Sequence, residues 1–238
     1  MQTGRARRGA QPERSGDARP ALVLASGSPQ RREILERLGV PFTLRPSWAP
    51  ELEHGDPAEL VLENALRKAR AAHVPAANEV VLACDTVVAL GGVLYGKPAG
   101  ERVARETLSA LSGVTHEVLS GLALLWAGEP PAGSEPCPPG SEPCPPGAGG
   151  HAQRQATQAP RTALTRTALT RTAVTFRVLG DELLDWYLAT GEWRGRAGGY
   201  AIQGAGAALV RAVEGDYENV VGLPLATLLD LYPALLKR

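Results

Sequence analysis

The chain has 238 residues, 44% of them hydrophobic, with 25 Lys+Arg against 25 Asp+Glu and a formal net charge of zero. That length supplies one sizeable core or two small ones, and the balanced charge gives no global field for nucleic acid and no acidic, solvating character. No apolar run approaches the roughly 20 residues needed to span a bilayer, so neither a nucleic-acid nor a membrane partner is expected.

Residues 1–20 read as a disordered basic arm, with Arg5, Arg7, Arg8, Arg14 and Arg19 against Glu13 and Asp17 and no aromatic residue to stack on bases. Only a short apolar run follows it, Ala21–Ala25, too brief for a signal-peptide core. That run suits a buried strand. A Ser-Gly-Ser-Pro turn leads into a helix over Gln30–Leu38, stopped at Gly39. A second helix is predicted at about Leu60–Ala72, with Leu60, Val61, Ala65, Leu66 and Ala69 at helical spacing. Val80–Leu90 is a predicted strand, and Gly91-Gly92 turns it into a hairpin with Val93–Tyr95. A helix over Glu101–Leu111 and a strand over Glu117–Trp126 follow.

The chain then changes character. SEPCPPG occurs twice, at Ser134–Gly140 and Ser141–Gly147, and Arg-Thr-Ala-Leu/Val-Thr occurs three times from Arg161 to Thr175. The Pro/Gly part cannot bury enough apolar surface to fold, so a low-complexity, disordered insertion is expected at about residues 129–171 within a domain running from 21 to 238. A strand at Thr172–Val178, a helix at Asp181–Thr190, a glycine-rich loop at Gly195–Gly206, a strand at Ala207–Val213 and a helix at Leu225–Leu236 bent at Pro233 complete the reading. Alternating strands and helices with hairpins indicate an α/β fold with a mixed sheet. Of the three cysteines, Cys84 sits in an apolar run, while Cys137 and Cys144 are equivalent positions of one duplicated unit. This usage fits a reducing compartment, and a cytoplasmic location is expected.

Several stretches can carry chemistry. In Ser26-Gly-Ser-Pro-Gln-Arg-Arg32, Ser28 fits a helix N-cap and Pro29 the first helical position. Arginines in a first turn oppose the helix dipole unless an anion is bound there, so Ser26, Ser28 and Arg31 form a candidate phosphate cradle. The alternative is an ordinary capped helix with solvated arginines. Asp85 interrupts the apolar run Val80–Val88, where an unpaired carboxylate is costly. It therefore calls for a cation, a hydrogen-bond network or the rim of a cleft, or else caps a turn. Lys97 lies just past the hairpin partner of that strand and could be brought near Asp85. Gln203, in a loop whose glycines permit close backbone approach, could read a base edge through its amide. His54, His73, His116 and His151 show no metal-ligand spacing, and no GxSxG, HExxH or P-loop pattern stands in its structural context.

Taken in order, Leu24-Ala-Ser-Gly-Ser-Pro-Gln-Arg, Ala83-Cys-Asp-Thr-Val-Val, Gly96-Lys-Pro, Leu111-Ser-Gly-Val-Thr-His, Ala197-Gly-Gly-Tyr-Ala-Ile-Gln-Gly and Gly215-Asp-Tyr-Glu-Asn-Val-Val-Gly-Leu-Pro resemble the motifs of the Maf family of nucleoside triphosphate pyrophosphatases. The resemblance implies two α/β lobes around a mixed sheet with flanking helices and a nucleotide cleft between them. It implies cleavage between the α and β phosphates with a divalent cation, Mg²⁺ or Mn²⁺. Asp85 matches the family's proton acceptor, with Glu51 as the acidic loop residue that shares the metal and Glu53 as its rival. Ser26, Ser28 and Arg31 match the phosphate turn, and Lys68 and Lys97 the family's lysines. Gln30, Thr86 and Gln203 fall at positions that distinguish substrate subgroups. Thr86 and Gln203 agree with the dTTP/UTP subgroup rather than the 7-methyl-GTP one, which carries Gln and Glu there. The family usually has Arg at Gln30, Lys at Arg196 and an acidic residue at Gly195, and it lacks the repetitive insertion. Two other readings remain: a pyrophosphatase for non-standard purine triphosphates or 7-methyl-GTP, and a non-catalytic nucleotide-binding regulator of cell division. A homodimer is compatible with either.

Overall fold

A computed structural model describes residues 20–72, 78–126 and 164–237. The chain order is β1 (Ala21–Leu24), α1 (Pro29–Arg37), β2 (Phe42–Leu44), α2 (Pro57–Ala72), β3 (Glu79–Leu90), β4 (Val93–Tyr95), α3 (Glu101–Leu111), β5 (Thr115–Trp126), β6 (Leu164–Phe176), α4 (Asp181–Thr190), β7 (Val210–Glu214), α5 (Tyr217–Val221) and α6 (Leu225–Leu231). Two short 3-10 turns, Ala197–Gly199 and Ala205–Leu209, lie between α4 and β7.

The strands form one seven-stranded mixed sheet in the order β2-β1-β3-β5-β6-β7, with β4 on the edge of β3. β1 pairs in parallel with both β2 and β3, and all other pairings are antiparallel. Helices cover both faces, which is why the strands β1, β3 and β5 read as nearly unbroken apolar runs. One core joins Leu22, Leu24, Ile34, Leu35, Leu82 and Trp126 to Leu228 and Tyr232, under α1 and α6. A second, toward the other end of the long strands, joins Leu108, Leu111, Val118, Phe176, Leu184 and Tyr187. Small residues of α2, Ala65, Ala69 and Ala72, pack on Val81, Ala83 and Ala123 on the opposite face.

The predicted mixed α/β class holds, with differences in particular elements. The strand expected from Thr172 begins at Leu164, so residues 164–171, read as part of the insertion, pair with β5 along its length. The reason lies in the repeat itself. Thr, Leu and Val suit a strand, and a five-residue repeat is odd, so each copy turns its side chains to the opposite face of a period-two element. Arg166 accordingly lies 5.0 Å from the Trp126 ring centroid and donates to the Leu231 carbonyl at 2.8 Å, while Arg171 pairs with Glu117 at 3.5 Å. The basic arm to Arg19 and residues 127–163, with both SEPCPPG units, lie outside the described residues. β2 and α5 were not anticipated, being three and five residues long. β7 starts three residues later than expected, and α6 stops at Leu231, ahead of Tyr232 and Pro233. On α2, Leu66 is only partly covered, and Asn64 and Lys68 occupy the buried face instead.

Candidate active site

The sheet has a notch. β1 pairs with β3 only through Leu24 opposite Leu82, and the chain then turns away at Ser26. β4 meets β3 only from Tyr95 opposite Val88. Between these pairings the edge of β3 has no strand beside it, so Asp85 and Thr86 can serve one cleft although their side chains leave opposite faces of the strand. That cleft has a volume of about 310 Å³ and is lined by Ser26, Ser28, Gln30, Arg31, Glu51, Lys68, Asp85, Thr86, Lys97 and Gln203. All the site residues anticipated from the sequence therefore meet in one place. Glu53, the rival to Glu51, is not among the lining residues.

Asp85 is 6% exposed and both its oxygens are held. Lys68 Nζ donates to Oδ1 at 2.6 Å, and Asn64 Nδ2 donates to Oδ2 at 3.0 Å. Lys68 Nζ also reaches Glu51 Oε1 at 2.8 Å. One ammonium thus stands between two carboxylates, giving the buried Asp85 the paired, hydrogen-bonded partner that such a group needs. The expected neighbour was Lys97; the partner is Lys68, and Lys97 shares the cleft without bonding Asp85. The helix carrying Lys68 can come this close because Gly121 stands directly opposite Asp85 in the β3–β5 register. A Cβ on Gly121 would lie 2.2 Å from the Val61 carbonyl oxygen of α2.

On the other face, Arg31 is buried and its guanidinium is a strut. Nε donates to the Gly222 carbonyl at 2.8 Å, one terminal nitrogen to Ser26 Oγ at 2.9 Å and the other to Thr86 Oγ1 at 3.1 Å. Three of its five N–H donors are so engaged, leaving two for a ligand. Thr86 Oγ1 also bonds Ser120 Oγ at 2.8 Å. Arg32, its neighbour in sequence, points outward to Glu36. Ser28 sits at the N-cap of α1 without capping it. Its hydroxyl donates to Gln30 Oε1 at 3.0 Å, and no side chain closes the first turn. The Gly215–Pro224 motif aims this strut. Asp216 caps α5 by accepting from the Glu218 and Asn219 amides at 2.8 and 3.3 Å, and buried Asn219 donates to the Val118 carbonyl and Thr172 Oγ1, both at 3.0 Å.

The facing wall is different. Lys97, Arg196 and Gln203 line the cleft, and among the described residues their side chains have no hydrogen-bond or ion-pair partner. Their backbone is fixed from behind. Gly198 N–H donates to the Gly96 carbonyl at 3.1 Å, tying the Gly96-Lys97-Pro98 turn to the glycine-rich loop. Gly198 holds φ 67°, and a Cβ there would strike the Val88 side chain at 2.8 Å. Tyr200 lines the cleft and its hydroxyl bonds His116 Nε2 at 2.9 Å. Burial pushes the His116 imidazole down to about 4 and the Tyr200 phenol above its ordinary range.

The comparisons with known proteins fit this geometry. The model of the family described as "Maf-like protein" matches residues 21–136 and 149–235. The chain belongs to the Maf family. A dTTP/UTP pyrophosphatase of Deinococcus radiodurans is 40% identical over 213 residues, covering 89% of this chain and 91% of that one. Proteins of the same name from Moorella thermoacetica and Pyrococcus furiosus are 42% and 37% identical over 212 residues each, covering 88% of this chain and 92% and 93% of theirs.

Within this Maf chain, no group of three or more His, Cys, Asp or Glu side chains that could hold a metal occurs among the described residues. The donor set at the cleft is the carboxylate pair Glu51 and Asp85. Mg²⁺ is commonly held by one or two carboxylates plus substrate phosphates, so two hard oxygen donors lining one cleft with Arg31, Lys97 and Arg196 fit a cation that is completed by an anionic ligand. Asn64, Ser120, Gly121 and Gly222 were not singled out by the sequence reading. Asn64 alone offered a signal, as an amide on the apolar stripe of α2, where a polar group must find partners.

Proposed function

We propose that this Maf protein hydrolyses nucleoside triphosphates, dTTP and UTP foremost, to the monophosphate and pyrophosphate. The observation that carries the reading is Asp85, a carboxylate pinned at both oxygens and set in a cleft of about 310 Å³ that Lys97 and Arg196 also line, their side chains without partners among the described residues. Asp85 orients a water and accepts its proton as the water oxygen bonds to phosphorus and the anhydride between the α and β phosphates breaks, with pyrophosphate leaving. Lys68 holds Asp85 and Glu51 in place through its two ion pairs. Arg31, Lys97, Arg196 and the open first turn of α1 offset the phosphate charge. A Mg²⁺ or Mn²⁺ held by Glu51 and Asp85 would supply further charge neutralisation and lower the pKa of a bound water.

Gln203 supplies the base selection. Its free amide can both donate and accept, as the O4/N3–H edge of uracil or thymine requires, whereas a carboxylate would only accept. Thr86, fixed by Arg31 and Ser120, lines the same cleft. The names of the similar proteins support the same substrates. No helix among the described residues is long and apolar enough to cross a membrane, and the one free cysteine described, Cys84, is buried. We place the enzyme in the cytoplasm, with a homodimer compatible.

A pyrophosphate-release assay over dTTP, UTP, CTP, ITP and 7-methyl-GTP, with and without Mg²⁺, tests the reading. Metal-dependent release fastest with dTTP and UTP is expected. Preference for ITP or 7-methyl-GTP would overturn the substrate assignment, and no release with any nucleotide would leave a binding protein.

A further inference from the structure

Asn64 is 1% exposed and its amide is committed in two directions. Toward β3, Nδ2 donates to Asp85 Oδ2 at 3.0 Å. Toward the loop before α2, Oδ1 accepts from the Leu52 N–H at 2.7 Å and Nδ2 donates to the Leu52 carbonyl at 3.0 Å. Leu52 follows Glu51 directly, so one side chain ties the carboxylate on the strand to the backbone beside the carboxylate on the loop. One helical turn later Lys68 joins the same two groups through charge, at 2.8 Å to Glu51 and 2.6 Å to Asp85.

We infer that Asn64 is a positioning residue of the hydrolytic centre, setting the orientation of Asp85 and its spacing from Glu51. The inference rests on the functional reading above. Lys68 alone does not fix that geometry. An ammonium is a point charge with three rotatable donors on a flexible stem, and it tolerates many carboxylate orientations. A planar amide buried between a strand and a loop permits one. Without it, Asp85 Oδ2 and the Leu52 amide lose their partners, and the backbone next to Glu51 loses the side chain that ties it to α2, leaving only the Lys68 ion pair at Glu51 itself. Residues that hold metal-binding carboxylates from behind affect affinity and rate although they touch neither cation nor substrate.

The test compares wild type with Asn64→Leu, which keeps the branched heavy-atom shape and loses all three bonds, and Asn64→Ala. For each, kcat and KM for dTTP are measured per folded molecule, below its thermal midpoint. The affinity for Mn²⁺ of the complex with a non-hydrolysable α,β-methylene analogue of dTTP is read by electron paramagnetic resonance. We expect kcat to fall roughly 10- to 100-fold and Mn²⁺ affinity to weaken about 10-fold, with KM unchanged. Wild-type kcat and Mn²⁺ affinity per folded molecule in either variant would overturn the role, since a purely structural residue changes only the folded fraction. If neither variant folds, the side-chain amide resonance of Asn64 in wild type decides. It should shift when Mg²⁺ joins the analogue complex, and no shift overturns the role. A wild type that releases no pyrophosphate from dTTP would instead sink the functional reading, and the Mn²⁺ measurement would still judge Asn64.

Discussion

The two walls of the cleft are built on opposite terms. On one, Arg31, Ser26, Lys68, Asn64 and Asp85 are buried, Thr86 is half-buried, and the six are tied together by hydrogen bonds. On the other, Lys97, Arg196 and Gln203 have fixed backbones and side chains without partners among the described residues. A closed polar network holds its atoms at set distances before any ligand arrives, which favours groups that must act at one reacting atom. Unpaired cations and an unpaired amide at an open cleft gain their partners from the ligand, which favours binding and selection. The difference teaches that the first wall should fail in kcat and the second in KM or in base preference.

The sharpest break is at Asp85. Asp85→Asn keeps the shape and removes the proposed base, and it should lower kcat by about 10²-fold or more while the protein stays folded. Circular dichroism with steady-state kinetics checks this, and near-native turnover in a folded variant would remove Asp85 from the chemistry. Gly121→Ala probes the same wall without touching it chemically. Its Cβ would press on the α2 backbone, moving Lys68 and Asn64 off Asp85. A loss of about 1 to 3 kcal/mol in stability and a clear drop in kcat are expected from urea unfolding and kinetics.

Across the cleft, Lys97→Ala should raise KM for every triphosphate about 10-fold with little change in kcat. A single charged hydrogen bond to phosphate carries about 1.5 kcal/mol, worth about that factor. His116 gives the second wall a pH signature. Its pKa is lowered to about 4 by burial from the ordinary 6.5, so the unfolded chain binds the extra proton between these values. Stability should be level above pH 6.5, decline as pH falls from 6.5 to 4, and lose that slope in His116→Leu, as thermal midpoints across pH would show. The smallest effect is expected at Gln30, where Gln30→Arg restores a charge beside the phosphate turn. KM should fall by a similar small factor for all bases, and a base-selective response would move Gln30 into recognition.

Much of this was legible in the sequence, for reasons that differ by residue. Asp85 showed itself because a carboxylate in an apolar strand needs a purpose. Lys97 and Gln203 showed themselves through the hairpin turn and the glycine-rich loop that carry them, whereas Glu51, Lys68 and Thr86 came only with the family motifs, having no local signature of their own. The partner of Asp85 was hidden because Lys68 lies 17 residues away on α2, and only the close approach over Gly121 brings it in. Gly121 left no trace at all, being an extended residue whose lack of a side chain matters only through a neighbour. The repeat was misread in part because low complexity was taken as a sign of disorder. At residues 164–171 the β-forming content of Arg-Thr-Ala-Leu-Thr and the long antiparallel partner β5 decide instead.

The central claim is cleavage between the α and β phosphates, and product identification tests it most directly. Incubating the protein with dTTP and Mg²⁺ and following the reaction by phosphorus magnetic resonance should show dTMP and pyrophosphate rising in equal amounts, with no dTDP. Accumulation of dTDP and inorganic phosphate, or no product from dTTP at all, would contradict it.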